Sequence, residues 1–264
     1  MAETSGRTLV TGASSGIGAE FARSLRARGH SVILVARRRE RLEKLASELG
    51  GEPHAVVEPC DLAQEGAAEW LRVRLAERAL EIDGVVNCAG LGLTGPFADQ
   101  PSEVVRAMCD VNVRALVELT RLFLPPMLER RRGFVINVAS NAAFQPIPFL
   151  AVYAATKAFV LSFTEAVADE VRGTGVRVQA LCPGITSTEF LDVSETRAEL
   201  KVRRLPTMTP RQVVETSLDA LERGRLRVVV GLSNRVLGFV TRRLAPAGLA
   251  RRVAGELYRP RDKT

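Results

Sequence analysis

Three residues close together in this chain have the types and spacing for proton chemistry on a carbonyl or an alcohol. Tyr153 and Lys157 lie four apart in an alanine-rich segment, FLAVYAATKAFV, and on a helix they share one face, one above the other. Ser140 stands thirteen residues before Tyr153, just past the apolar, β-branched run Phe134 to Val138, which reads as a buried strand. A free phenol titrates at about 10 and is a poor base near neutrality. A neighbouring ammonium favours the phenolate and draws that pKa down. A shift of roughly 3 units requires about 4 kcal/mol of differential interaction, within reach of one close cation in a polar site. A tyrosine so tuned gives or takes a proton while the serine hydroxyl orients the reacting oxygen. A bare Y-x-x-x-K is usually a helix-surface pair, so the reading depends on the elements that position it.

Those elements alternate between strand and helix. A short strand, Thr8 to Val10, runs into TGASSGIG and then a helix carrying Phe21 and Leu25 that stops at Gly29. Gly12, Gly16 and Gly18, with Ser14, Ser15 and Ile17 between and beside them, form a strand-to-helix turn whose backbone can approach a pyrophosphate at the helix N-terminus. After the second strand, Ser31 to Val35, come Ala36, Arg37, Arg38 and Arg39, with no acid before Glu40. An acid here would bond ribose hydroxyls, whereas an arginine accommodates a 2′-phosphate, so Arg37 points to NADP(H). Arg38 and Arg39 read equally well as a solvated helix start. A third strand, Pro53 to Pro59, leads to Asp61 and Leu62; Asp61 is placed either to meet an adenine or to cap a helix. The helix Gln64 to Leu80 is expected to turn Trp70 and Leu71 inward. The fourth strand, Ile82 to Val86, ends in Asn87, Cys88, Ala89 and Gly90, small enough to let a cofactor lie against the backbone.

A long helix from about Ser102 carries Asn112, with Pro125 and Pro126 late in it or kinking it. After Lys157 the helix continues to about Val171 with a stripe of Phe159, Phe163 and Val167, read as core or in part a subunit interface. The sixth strand, Val176 to Leu181, precedes Pro183 and Gly184. Residues 191–206 read as a mobile segment over a site. Thr209 and Pro210 are the N-cap and first residue of a helix to Arg223, and Arg227 to Val230 is a seventh strand. The pattern predicts an α/β, doubly wound parallel sheet of about seven strands with helices on both faces and ligands at the strands' carboxyl ends.

Composition narrows the classes. The chain has 264 residues, 46% of them hydrophobic, enough for one large domain. No apolar stretch reaches the 18 or so residues of a membrane span, and no secretory signal opens the sequence, so a cytoplasmic protein is expected. The four cysteines, Cys60, Cys88, Cys109 and Cys182, are scattered and read as reduced core thiols, and no metal cluster is expected. The net charge of +7 is carried mostly by arginines spread along many helices, which does not call for a nucleic-acid partner. In the tail, 232–264, Leu237, Val240 and Leu244 share one helical face, as do Leu249, Val253 and Leu257. Its arginines make a basic amphipathic extension, expected to cover the pocket or pack on a subunit, with peripheral membrane contact the less favoured reading.

TGASSGIG, Asn87-x-Ala89-Gly90, Asn112, Ser140, Tyr153-x-x-x-Lys157 and Pro183-Gly184, in this order, resemble the short-chain dehydrogenase/reductase family over about residues 6–231. The resemblance implies a single Rossmann-type catalytic domain over residues 1–231, NAD(P)-dependent carbonyl–alcohol interconversion and a homodimer or homotetramer. It implies Tyr153 as general acid/base and Ser140 holding the substrate oxygen. Lys157 would lower the Tyr153 pKa and hold the nicotinamide ribose. Asn112 would support a water-mediated proton relay, and Ile185 and Thr188 would contact the nicotinamide carboxamide. Two departures are Cys88 where the family often has asparagine, and Thr186 where an aliphatic residue is frequent. The expected substrate is an apolar small-molecule carbonyl compound or alcohol, its pocket drawn from residues 91–98, 142–150 and 186–206. The alternative is a dinucleotide-binding regulator without catalysis.

Overall fold

Runs such as Val32–Val35 and Val85–Val86 have no polar face, so they are stable only where a sheet is covered on both sides. In the computed structural model, which describes residues 6–187, 207–231 and 247–259, they form the middle of a seven-stranded parallel sheet. The strands are β1 (Arg7–Thr11), β2 (Ser31–Ala36), β3 (Ala55–Pro59), β4 (Gly84–Asn87), β5 (Gly133–Val138), β6 (Val176–Cys182) and β7 (Arg227–Val229). Their order is β3-β2-β1-β4-β5-β6-β7, so direction of winding reverses between β1 and β4 and opens a crevice at their carboxyl ends.

The helices are α1 (Gly16–Ala27), α2 (Arg39–Glu48), α3 (Ala67–Glu77), α4 (Ser102–Cys109), α5 (Leu116–Glu129), α6 (Ala151–Glu170), α7 (Pro210–Glu222) and α8 (Ala247–Tyr258). One core cluster joins α1, α2 and α7 to the sheet through Phe21, Leu25, Leu42, Val213 and Leu218. A second joins α3, α5 and α6 to the other face through Leu71, Leu75, Leu119, Phe123 and Val167. The start of α7 is closed by a capping box: Thr209 Oγ1 accepts from the Gln212 N–H, Gln212 Oε1 accepts from the Thr209 N–H, and Pro210 opens the helix. Gly29, just past α1, has a φ of 86° that suits glycine. Arg28 beside it bonds Glu215, Asp219 and Glu222, tying α1 to α7.

Several expectations need correction. The helix after β3 starts at Ala67, not Gln64, and Trp70 is 46% exposed while Leu71 is buried; the indole lies under the Arg74 guanidinium at 5.9 Å. The long helix from Ser102 is interrupted at Asp110–Ala115 by a wider π-type turn, whereas Pro125 and Pro126 sit inside α5. Phe159 is 44% exposed and stacks on Phe163, so only the Val167 end of that stripe is core. Cys109 is exposed, unlike the other three thiols. Helix α6 is long and apolar enough to cross a membrane by composition, contrary to the expectation, but it packs along β5 and β6. In α8, Val253 is 56% exposed whereas Ala254 and Gly255 are buried and Leu257 is half-buried, so Val253 is not on the packed face as expected; the Leu249 side chain lies outside what the structure describes. The tail's Leu237, Val240 and Leu244, the segment 191–206 and Thr188 lie outside the described residues.

Candidate active site

At the carboxyl end of β1 the chain needs a turn that almost touches β4. A Cβ built on Gly12 would lie 3.0 Å from backbone atoms of Ala89, and one on Gly18 would lie 2.3 Å from the Gly12 carbonyl oxygen. Gly12 and Gly16 also hold φ values of 68° and 56°. Thr11 fastens the two strand ends: its Oγ1 accepts from the N–H groups of Cys88 and Ala89, both at 3.0 Å, and donates to the Val86 carbonyl. The N-cap residue of α1, Ser15, makes no side-chain cap, which leaves the helix's first N–H groups for an anion.

The resulting cleft is lined by Gly12, Ser14, Ser15, Gly16, Ile17 and Gly18, by Arg37, Arg38, Asp61 and Leu62, and by Cys88, Ala89 and Gly90. Asp61 does not cap α3, whose N-cap is Gly66; its carboxylate accepts from the Ala63 N–H and so shapes the cleft wall. Both Arg37 and Arg38 reach the cleft, and Arg38 Nη2 donates to Ser14 Oγ at 3.0 Å and Ser15 Oγ at 3.2 Å. Guanidinium groups over a glycine turn and a bare helix N-terminus suit a phosphorylated dinucleotide. The sequence singled out Arg37 and left Arg38 undecided; the serine pair it crosses was the missing signal.

Asn87 was expected to face the cofactor. Its side chain instead turns into the core, donating to Thr120 Oγ1 and to Asn137 Oδ1, and Asn137 donates in turn to Thr164 Oγ1. This buried polar chain ties β4 and β5 to α5 and α6, leaving Cys88 to Gly90 to line the cleft. Cys88 is desolvated there and its thiol is pushed up to about 12, which keeps it unreactive.

The proton-handling groups sit beside the cleft. The Ser140 and Tyr153 side chains are hydrogen-bonded, and Ser140 Oγ also accepts from the Ala142 N–H. Lys157 Nζ, 5% exposed as a residue, donates to the Val138 carbonyl at 2.7 Å and lies 5.7 Å from the Tyr153 ring centroid. Asn112, in the π-type turn, uses its amide fully as a donor, to the Leu91 carbonyl and to Thr156 Oγ1, and accepts from the Leu91 N–H. Thr156 donates to the Tyr153 carbonyl, so Asn112 braces the turn of α6 between Tyr153 and Lys157. Its Oδ1 and Lys157 Nζ would lie 3.4 and 3.6 Å from a Cβ at Gly90. Pro183, Gly184 and Ile185 follow β6 beside this group: the Pro183 carbonyl accepts from the Asn141 N–H, and Ile185 pairs with Met208.

Burial outweighs the expected lowering of the Tyr153 phenol. Burial pushes the Tyr153 phenol up to about 12, against a smaller opposing effect of Ser140, and burial draws Lys157 down to about 8. Near neutrality the phenol therefore keeps its proton and the ammonium keeps its charge. That pair is set up to donate.

The sequence profile of the short chain dehydrogenase family matches residues 7–199. The chain belongs to this family. The NADP-dependent 3-hydroxy acid dehydrogenase YdfG of Salmonella typhi is 37% identical over 78% of this chain and 85% of its own length. The very-long-chain 3-oxoacyl-CoA reductase of Anas platyrhynchos is 35% identical over 71% of this chain, but the match spans only 62% of that enzyme. A 7beta-hydroxysteroid dehydrogenase structure superposes with a TM-score of 0.84 at 30% identity, covering 94% of this chain and 96% of that one. A short-chain dehydrogenase from Sphingobium yanoikuyae in complex with NADPH gives 0.78 at 31% identity, covering 88% and 91%. The seven-stranded order and the glycine turn are thus those of a family of NAD(P)-dependent oxidoreductases.

Proposed function

We propose that this protein reduces an apolar ketone to an alcohol with NADPH. The observation that carries the reading is the Tyr153 phenol, hydrogen-bonded to Ser140, beside the buried Lys157 at the edge of the dinucleotide cleft. When bound, NADPH supplies the hydride that reduces the carbonyl carbon. Ser140 and Tyr153 hydroxyls bond the carbonyl oxygen, and Tyr153 gives its proton to that oxygen as the C–O double bond becomes single. The Lys157 ammonium stabilises the tyrosinate until solvent restores the proton, and Asn112 holds the helix turn that sets their spacing. Gly12 to Gly18 and the α1 N-terminus hold the pyrophosphate, Arg37 and Arg38 the 2′-phosphate, and Asp61 with Leu62 the adenine. Thr188, with Ile185, would meet the nicotinamide carboxamide.

The described substrate side is apolar: Ala142, Ile147, Leu150 and Ala154 are buried around Tyr153. This supports bulky cyclic or long-chain ketones over sugars. The desolvated thiols of Cys60, Cys88 and Cys182 support a reducing, cytoplasmic setting, and the exposed Phe159 with its stacked neighbour Phe163 supports a homodimer or homotetramer. The test is a panel of bicyclic, aryl and long-chain ketones with NADPH, run with wild-type protein and Tyr153→Phe. Reduction that falls about 10²–10⁴-fold in the variant, with NADPH binding retained, is expected. NADPH binding with no turnover of any ketone would favour a catalytically silent regulator.

A further inference from the structure

We propose that Tyr258 is a substrate-binding residue whose hydroxyl bonds a second oxygen function of the substrate, remote from the reacting carbonyl. The proposal rests on the ketone-reductase reading and narrows it, from apolar ketones to apolar ketones that carry another hydroxyl or oxo group.

Helix α8 is built for close approach. Ala254 is buried, and a Cβ on Gly255 would lie 3.2 Å from Pro148 Cγ and 3.4 Å from Pro148 Cβ, so the helix backbone rests on the loop that precedes α6 with no side chain between. One turn past Ala254, on the same face, comes Tyr258. Its ring packs on the cluster of Ala142, Ile147, Leu150 and Ala154, which Tyr153 also joins. The Arg259 guanidinium carbon, 5.9 Å from the Phe149 ring centroid, closes the end of the helix onto the same loop. The two tyrosines of the chain are therefore brought to one small apolar site by elements about a hundred residues apart.

The Tyr258 phenol is desolvated, which raises its pKa, and its charge would oppose ionisation of Tyr153, as two groups sharing one site must do. Among the described residues no group hydrogen-bonds the Tyr258 hydroxyl, which is half-buried and therefore open to water or to a ligand oxygen. The reacting carbonyl is not that partner. Its oxygen has two lone pairs, and Ser140 and Tyr153 take both. The neighbouring side chains are alkyl. The half-buried hydroxyl can bond water, and a substrate oxygen seated in the same apolar site would displace that water.

The experiment compares decalone with a set of its positional hydroxy derivatives, each reduced with NADPH. Wild-type protein is expected to favour at least one hydroxylated ketone, mainly through KM. Tyr258→Phe should erase that preference, lowering kcat/KM for the favoured derivative by roughly three- to tenfold relative to any change seen with decalone, the range of one hydrogen bond, with NADPH affinity as the control for folding. Gly255→Ala, whose methyl would press on Pro148 at 3.2 Å and shift the contact by a few tenths of an ångström while keeping the phenol, should weaken the same preference. A wild-type enzyme that reduces decalone but favours no hydroxylated form overturns the proposal alone. So does a Tyr258→Phe variant that keeps the wild-type ratio, or that loses both substrates equally. If wild-type protein reduces none of these ketones, the ketone-reductase reading fails and the proposal falls with it.

Discussion

The two arginines at the nucleotide end of the cleft can be separated by exchanging them one at a time. Arg38 lies across the glycine turn, bonded to the hydroxyls of Ser14 and Ser15, while Arg37 stands exposed at the rim after β2. A hydrogen bond between charged groups contributes about 1.5–3 kcal/mol, and exposure places both residues at the low end of that range. Arg38→Ser should therefore weaken NADPH binding roughly tenfold, and Arg37→Ser by less. NADH, which lacks the 2′-phosphate, should bind both variants nearly as it binds the wild type. Any looseness left in the glycine turn affects both cofactors equally, so the ratio of the two dissociation constants isolates the phosphate contribution. Fluorescence titration of NADPH and NADH measures that ratio directly. Because the contact is between exposed charges, it should shrink as salt is raised from about 0.05 to 0.5 M. Arg37→Asp adds a repulsion and should flatten or reverse the preference. An unchanged ratio in Arg37→Ser and Arg38→Ser alike would refute the assignment of the 2′-phosphate to this pair.

Gly18→Ala puts a methyl 2.3 Å from the Gly12 carbonyl oxygen, a backbone atom with nowhere to go, and should raise the NADPH dissociation constant at least tenfold in the same titration. Asn137→Ala removes the centre of the buried chain, so that Asn87 Nδ2 keeps only Thr120 and Thr164 Oγ1 only the Val160 carbonyl; urea unfolding should show a loss of about 1–3 kcal/mol. Lys157 is drawn down to about 8, so ketone reduction should decline as pH rises through that value and the ammonium is lost. The same shift has a stability consequence in cofactor-free protein. Between about 8 and the ordinary 10.5 the unfolded chain binds a proton that the folded chain does not, so this residue adds stability as pH rises across that window, and Lys157→Met should remove its contribution.

The sheet was legible because its strands carry no polar residues to compete: Val32–Val35 and Val85–Val86 can only be central strands. The glycine turn was legible for a different reason, that Gly12 and Gly18 occupy places where a methyl has no room. Misreadings came where one side chain had two acceptable environments. Trp70 was expected to turn inward with Leu71, but next to Arg74 an indole can remain half exposed under a guanidinium. Asn87 was assigned to the cofactor by its position at a strand end, and only Thr120 and Asn137, distant in sequence, decide that it turns inward. Pro125 and Pro126 do fall late in the helix, one of the two places expected for them, but the break was not foreseen at Asn112, whose bonds to Leu91 and Thr156 reward a wider turn. Tyr258 gave no local signal, since its role depends on Gly255 meeting Pro148 across the fold.

The site shows why burial and proximity must be weighed against each other. Four residues of helix place an ammonium near a phenol, and spacing alone suggests that the cation lowers the phenol's pKa. Here Lys157 spends its short bond on the Val138 carbonyl and lies 5.7 Å from the Tyr153 ring centre, while the apolar cluster around Tyr153 removes the water that would support a phenolate. Desolvation wins, and it acts on both groups in the sense that keeps the net charge of the pair low. For alcohol oxidation that balance is unfavourable, because a base must first be made. For carbonyl reduction it supplies a ready acid next to a cation that can receive the charge left behind. The protonated phenol from which the proposed reduction starts is thus favoured by the low polarity of the Tyr153 surroundings, to which α8 contributes Ala254 and Tyr258.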